Sequence, residues 1–275
     1  MKYFKIFCFV LFCTIVLAAD LPGQSRNGMS LSGATGLYAI PTGRVGWDRS
    51  GNSPFGFDLG YHAIIDDGVA AHIPKIALSL FHFLELSAAI DFQPDEHVTN
   101  PWFGPRNGHD FIGGIKIQLP LARTALALGG KYQSLNLDRN NLRNSAGQIY
   151  IAATYAGHFF DMPAETTIVI GRSFREGRPT HDIDFGMGFD ILLFPSAFGN
   201  LIHWITDFAN FSYSADPFRA NAWIRGVLNT GFRLNLSTIP NFSRLRFMAD
   251  IMMIDAFDRN RAFSIGMTFG VPIIM

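Results

Sequence analysis

Eight histidines and 22 acidic residues give the chain raw material for metal or hydrolytic chemistry, but little of it is spaced for that purpose. Gly171-Arg172-Ser173-Phe174-Arg175 begins like a nucleophile elbow and lacks the second glycine. No Walker loop, GxGxxG, GxSxG or HExxH run is present. Asp95, Glu96, His97, His109 and Asp110 stand at the two ends of one segment. They carry donors a divalent cation would accept, and a solvated polar loop has the same composition. Asp66-Asp67 and His181-Asp182 pair acid with acid or histidine, as membrane-embedded hydrolases do, but such pairs are too common to define a site. Sequence therefore assigns no catalytic residue, no metal site and no cofactor.

A second set of ionisable residues is ordered. Asp58, Glu85, Asp91, Lys116, Asp182, Asp184, Asp190, Arg225, Arg233, Arg244 and Arg246 each fall on the polar side of a period-two pattern. Their neighbours on that side are often glycine. Charges repeating on one face of a ribbon can line a pore and set its selectivity. They can equally pair with one another and fill a closed interior.

The elements that carry them alternate strictly. Ile183, Phe185, Met187, Phe189 and Ile191 oppose Asp182, Asp184, Gly186, Gly188 and Asp190. Leu84, Leu86, Ala88, Ile90 and Phe92 oppose Glu85, Ser87, Ala89 and Asp91. Comparable runs start near Phe55, Phe111, Ile149, Ile224, Leu245 and Phe263. Weaker ones lie near 71–80, 124–134, 165–173 and 203–213, the last with no obvious apolar face around Asp207 and Asn210. Successive side chains of a strand point to opposite sides. Phe, Ile, Leu and Met on one side, with charge and Gly on the other, fit a barrel whose outside is wetted by lipid. We therefore expect an all-β, antiparallel transmembrane β-barrel of about twelve strands over residues 55–275.

Connection lengths fit that topology. Expected outer loops are 66–70, 94–109, 135–146, 174–181, 214–220 and 255–261. Expected periplasmic turns are 81–83, 120–123, 159–164, 195–201 and 237–242, with the turn at His82 the shortest. Outer-membrane barrels combine long outer loops with short periplasmic turns.

Charge and topology at the N-terminus predict export. Lys2 and Lys5 precede an apolar run from Ile6 to Leu17, followed by Ala18 and Ala19. Residues 1–19 thus read as a signal peptide, shorter in its apolar part than the ~20 residues a spanning helix needs. Both cysteines, Cys8 and Cys13, lie inside it, so no disulfide is expected in the exported chain. Lys+Arg and Asp+Glu balance at 22 each. That leaves no basic excess for phosphate neutralisation, and no nucleic-acid partner is expected.

Residues 20–54 differ from the rest, with Gly and Pro recurring too often for a regular strand. Within them, Ser32 to Thr42 reads SGATGLYAIPT. The GATGL…IPT run at 33–42 resembles the glycine-rich opening of YjbH-like outer-membrane barrel proteins, a family associated with exopolysaccharide and capsule production. The resemblance covers about eleven residues and implies a cell-envelope role involving glycans. Bottom-up, the segment is a candidate lumen plug through Gly33, Thr35, Gly36 and Pro41, facing the inward glycines; a short extra strand or a periplasmic tail is the alternative.

The expectation is a monomeric barrel in a bacterial outer membrane, in contact with outer-membrane lipid. It would form a narrow pore or export-assisting channel for small polar or glycan solutes. A non-conducting surface barrel binding a partner through its outer loops is the alternative, and an embedded hydrolase the third. No enzyme activity is expected of the leading reading.

Overall fold

The computed structural model describes residues 28–47, 54–93, 109–120, 124–136, 143–175, 183–219, 222, 226–242, 245–257 and 261–273. Two two-residue strands, β1 (Gly28–Met29) and β2 (Thr35–Gly36), pair with each other. Twelve longer strands follow: β3 (Phe55–Asp66), β4 (Val69–Leu80), β5 (Leu84–Phe92), β6 (His109–Pro120), β7 (Thr124–Asn136), β8 (Arg143–Phe159), β9 (Met162–Arg175), β10 (Asp184–Leu192), β11 (Ile202–Ala209), β12 (Val227–Asn235), β13 (Arg246–Ile254) and β14 (Ala262–Pro272). Each pairs antiparallel with its sequence neighbour, and β14 pairs with β3 to close the barrel. Closure leaves no open sheet edge, the condition for a sheet in lipid.

Alternation decides which side faces out. On β14, Phe263, Ile265, Met267 and Phe269 are exposed while Ala262, Ser264 and Thr268 are buried. On β8, Ile149, Ile151 and Tyr155 are exposed and Gln148, Tyr150, Ala152 and Thr154 are buried. A belt of exposed Ile, Leu, Phe and Met, broken in places by residues such as His72 and Arg172, would be untenable in water, because large apolar patches drive association. In a bilayer it is the required outer surface.

All connections at one end are short or carry brief helices: 81–83, 160–161, 193–201 with a helix at Pro195–Phe198, and 236–245 with 3-10 turns at Leu236–Thr238 and Pro240–Phe242. This turn end presents Phe81, Phe83, Phe160, Phe194 and Phe198 to the surroundings. The opposite, loop end has the two-residue turn Asp67–Gly68 and the long 93–108 connection, most of which lies outside the described residues. The turn at His82 is thus not the shortest; Asp67–Gly68 and Phe160–Asp161 are tighter, with Asp67, Gly68, Phe160 and Asp161 all at positive φ.

Two boundaries differ from the sequence expectation. The 203–213 run stops being a strand at Ala209, and the run expected to begin near Ile224 enters the sheet only at Val227. Between them, residues 210–219 and Ala222 turn into the barrel, so the described part of the expected outer loop 214–220 is not solvated. Phe211, Tyr213, Ser214, Asp216, Phe218 and Ala222 are all buried. Aromatic side chains in a nominal loop gain more from the interior than from water.

Residues 28–47 occupy the interior from the other side. Every residue from Gly28 to Gly46 is buried. Met29, Leu31, Leu37 and Ile40 are fully enclosed. The enclosed space is not purely polar. Leu31, Leu37 and Ile40 join inward-facing Ile64, Ile73, Ile112, Val169 and Ile205, and Phe211 and Tyr213 of the 210–222 segment, in one apolar cluster. The inward face is therefore charge, glycine and a patch of aliphatic residues, not charge and glycine alone.

Glycines in the wall make the room. A Cβ at Gly188 would sit 2.4 Å from Leu37 Cδ1 and 2.6 Å from the Thr206 carbonyl oxygen. Gly188→Ala is expected to destabilise the protein by ~1–3 kcal/mol through overpacking, read as a lower urea midpoint of the lipid-refolded protein.

Candidate functional site

The site is the lumen and the segment within it. Residues 28–47 enter and leave at the turn end. Gly28 O accepts from Arg246 Nη2 at the start of β13 (3.2 Å), and Trp47 N donates to Ser79 Oγ near the end of β4 (3.3 Å). The far point reaches the loop-end half, where a Cβ on Gly186 of β10 would meet Ile40 and Phe211. The segment is a hairpin plug, held by β1–β2 pairing and a bridge from Gly36 to Pro41. Gly33 turns it at φ +92°, with the Ala88 carbonyl so near that a Cβ there would lie 2.8 Å from its oxygen. Glycine alone tolerates both conditions.

An irregular segment cannot pair its own amides and carbonyls, and leaving them bare in the interior costs ~1–3 kcal/mol each. The wall supplies the partners, and the sign of each wall charge matches its task. Carboxylates accept from plug N–H groups. Glu85 takes Thr35 N at 2.8 Å, Thr35 Oγ1 at 2.5 Å and Gly46 N at 2.9 Å. Asp207 Oδ2 takes Tyr38 N at 2.9 Å and Ala39 N at 2.7 Å. Cations donate to plug carbonyls. Lys75 reaches Met29 O and Ser30 O at 3.1 and 2.8 Å, and Lys116 reaches Thr35 O at 2.8 Å. Arg233 reaches Gly36 O and Leu37 O at 3.2 and 3.3 Å. Neutral wall groups complete the set: Thr154 for Gly43 N and Gln118 for Val45 N.

The same charges pair across the wall. Arg246 meets Asp58 at 2.9 Å, Lys116 meets Glu85 at 3.0 Å, Arg233 meets Asp250 through two nitrogens at 2.7 and 3.0 Å, and His203 meets Asp190 at 2.6 Å. Among plug residues 28–47, Arg44 is the single formal charge, and it bridges to Glu165 at 2.9 Å. Pairing is what makes these buried charges tolerable.

Of the residues singled out by alternation, Asp58, Glu85, Asp91, Lys116, Asp184, Asp190, Arg233 and Arg246 all point inward and are buried. Asp182, Arg225 and Arg244 lie outside the described residues, as do Asp95, Glu96, His97 and His181. Gly33, Thr35, Gly36 and Pro41 all belong to the interior hairpin. Asp110 accepts from Gln133 at 2.9 Å. Ser173, in the broken elbow sequence, donates to Asp184 at 2.6 Å, and among the described residues no histidine is hydrogen-bonded to it. Sequence reading missed Lys75, His203 and Asp207, which sit on β4 and β11, strands whose two faces are both mixed; His62 falls on the polar face of the cleanly alternating β3 and was not singled out. His62 of β3 and Lys75 of β4 lie on a diagonal, their partners across the pair being Ile73 and Gly60, and His62 Nε2 is 3.3 Å from Asp250 Oδ2.

At the loop end, residues 210–219 fold into the lumen. Tyr213 Oη donates to Asp91 Oδ2 at 2.9 Å. Burial, reinforced by that carboxylate, pushes the Tyr213 phenol well above its ordinary range, so it remains a donor. Lys131 holds the Tyr213 carbonyl at 3.0 Å, Arg175 the Ala215 carbonyl at 2.6 Å, and Gln93 the Asp216 carbonyl at 3.0 Å. Arg219 pairs with Asp66 at the rim. Residues 28–47 and 210–219 thus enter the lumen from opposite ends and meet in one apolar cluster.

No protein-family model matches the chain, and no curated protein matches it. Solved structures do. The KdgM porin has 7% identity and a TM-score of 0.48 over 77% of this chain and 98% of that one. The KdgM porin in complex with disordered oligogalacturonate gives 7% and 0.47 over the same shares. The outer membrane protein Omp33 of Acinetobacter baumannii gives 11% and 0.40 over 80% and 98%. The chain itself is a closed, twelve-stranded antiparallel barrel.

Proposed function

We propose that this chain is a bacterial outer-membrane barrel that forms a plugged passage for small polar or glycan solutes, with the hairpin 28–47 as its removable stop and no catalytic role. The carrying observation is how the plug is held. The wall's charged side chains bind plug backbone, and the plug has one ion pair of its own, Arg44 with Glu165. Water can replace backbone partners of this kind as the hairpin withdraws, and both its ends already lie at the turn end, so no chain has to be threaded. What it would uncover is a wall carrying Asp, Glu, Lys and Arg, the groups of a polar pore, beside the aliphatic patch around Ile64, Ile73 and Ile205. The glycan part of the proposal rests on the GATGL…IPT resemblance, whose residues are those of the plug itself.

A second reading is favoured by the aliphatic cluster around Leu31, Leu37 and Ile40: a barrel that never opens and acts through its outer loops. Planar-bilayer recording separates the two. The full chain is expected to be silent or to open rarely, and a chain lacking residues 20–47 to conduct in steady steps. A plugless barrel that folds, as judged by β-sheet circular dichroism, and stays silent would leave the closed reading standing.

A further inference from the structure

The described interior is not filled everywhere. Between the inner wall of β7–β10 and the inward residues 210–215 and Ala222 lies a cavity of ≈ 70 Å³ near the loop end. One water needs ~10–15 Å³ by this measure, so the space takes roughly five waters, the bulk of a single sugar ring. Its chemistry is specific. Asp184 Oδ2 accepts from Gln148 Nε2 and Ser173 Oγ, both at 2.6 Å. Those two bonds fix the carboxylate in place and use one of its oxygens. Asp184 Oδ1 and Gln148 Oε1 accept nothing from the described residues, and both side chains line the cavity. The Phe211 ring also lines the cavity, with Lys131 Nζ 5.8 Å from its centroid.

We propose that this cavity is a binding site for one neutral sugar ring. A fixed carboxylate and a side-chain amide oxygen accept hydroxyl hydrogens, and an aromatic face takes the C–H side of a pyranose. Charge narrows the class further. Lys131 and Arg175 stand on the lining beside Asp184. Together they oppose a cationic ligand; both already donate, to the Tyr213 and Ala215 carbonyls respectively, so the acceptor end is governed by the Asp184 carboxylate, which opposes an anionic one. The site faces the loop end, where a solute would first meet the barrel. It deepens the passage proposal by naming a solute class, yet binding here does not require the plug to move.

The test uses the purified full chain in detergent and titration calorimetry with glucose and galactose as neutral probes, glucosamine as the cationic one and galacturonate as the anionic one. Neutral hexoses are expected to bind with millimolar affinity, at least tenfold tighter than either charged sugar. Asp184→Ala should abolish this. Ala146→Phe, which fills the cavity and leaves the Asp184 hydrogen bonds alone, should do the same, and it keeps the test valid should the first variant fold poorly. Absence of hexose binding to the wild-type chain, preference for a charged sugar, or unchanged binding in Ala146→Phe would overturn the site. None of these results depends on conductance, so a silent barrel that binds hexose would defeat the passage proposal alone.

Discussion

Replacing Glu85 with Ala is expected to free the plug from the middle of the lumen. Glu85 is the densest anchor in the interior, accepting from Thr35 N, Thr35 Oγ1 and Gly46 N while pairing with Lys116. It therefore ties the two limbs of the hairpin to one point on β5. Its loss strips partners from two plug amides and leaves the Lys116 ammonium buried with only the Thr35 carbonyl. Breaking a buried pair by removing one member costs ~3–5 kcal/mol, a large share of the ~5–15 kcal/mol that separates folded from unfolded domains. Most of that cost falls on the plugged state and not on the barrel, because β5 keeps all its ladder bonds to β4 and β6. The plug should therefore leave before the barrel melts. The check exploits the chain's cysteines, which are Cys8 and Cys13 alone. With the chain begun after residue 19, a single Ala39→Cys is a clean reporter, since Ala39 is 6% exposed in the plugged state. A polar maleimide should label it slowly in the parent and at least tenfold faster with Glu85→Ala. Equal rates would mean that Glu85 does not hold the plug.

How much of this was legible in the chain depends on how each strand divides its faces. β10 and β14 were plain because their outward residues are all large and apolar and their inward ones small or charged. β11 was not. Its inward set is His203, Ile205, Asp207 and Ala209, and its outward set includes Thr206 beside Trp204 and Phe208. A filled lumen needs aliphatic inward residues to pack on the plug, and those residues blur the alternation that identifies a barrel strand. The plug presents the opposite problem. Glycine and proline show that 20–54 is no regular strand, yet no local rule says that such a segment turns inward. Its partners at Glu85 and Asp207 are 50 and 169 positions away in the chain, and only closure of the barrel brings them together. The 210–222 segment did carry a signal. Phe211, Tyr213 and Phe218 are costly in a solvated loop, and their presence there is the sequence trace of an inward fold.

The second large effect concerns Arg233, which serves wall and plug at once. Its guanidinium is fully buried, pairs with Asp250 through Nε and Nη2, and donates to Gly36 O and Leu37 O at the plug. Arg233→Met should destabilise the protein by ~3–5 kcal/mol, because Asp250 is then left in the interior with His62 and no guanidinium. Adding Asp250→Leu removes the stranded charge. An apolar pair of similar volume can match or exceed a buried ion pair, so the double variant is expected to recover most of the lost urea midpoint. It cannot recover the plug, since Gly36 O and Leu37 O still lack their donor. The prediction is a split: barrel stability near that of the parent, but Ala39→Cys labelling as fast as in the single variant. Recovery of both readouts would show that Arg233 acts on the plug only through the wall. Recovery of neither would assign the stability to the plug contacts and leave the ion pair incidental.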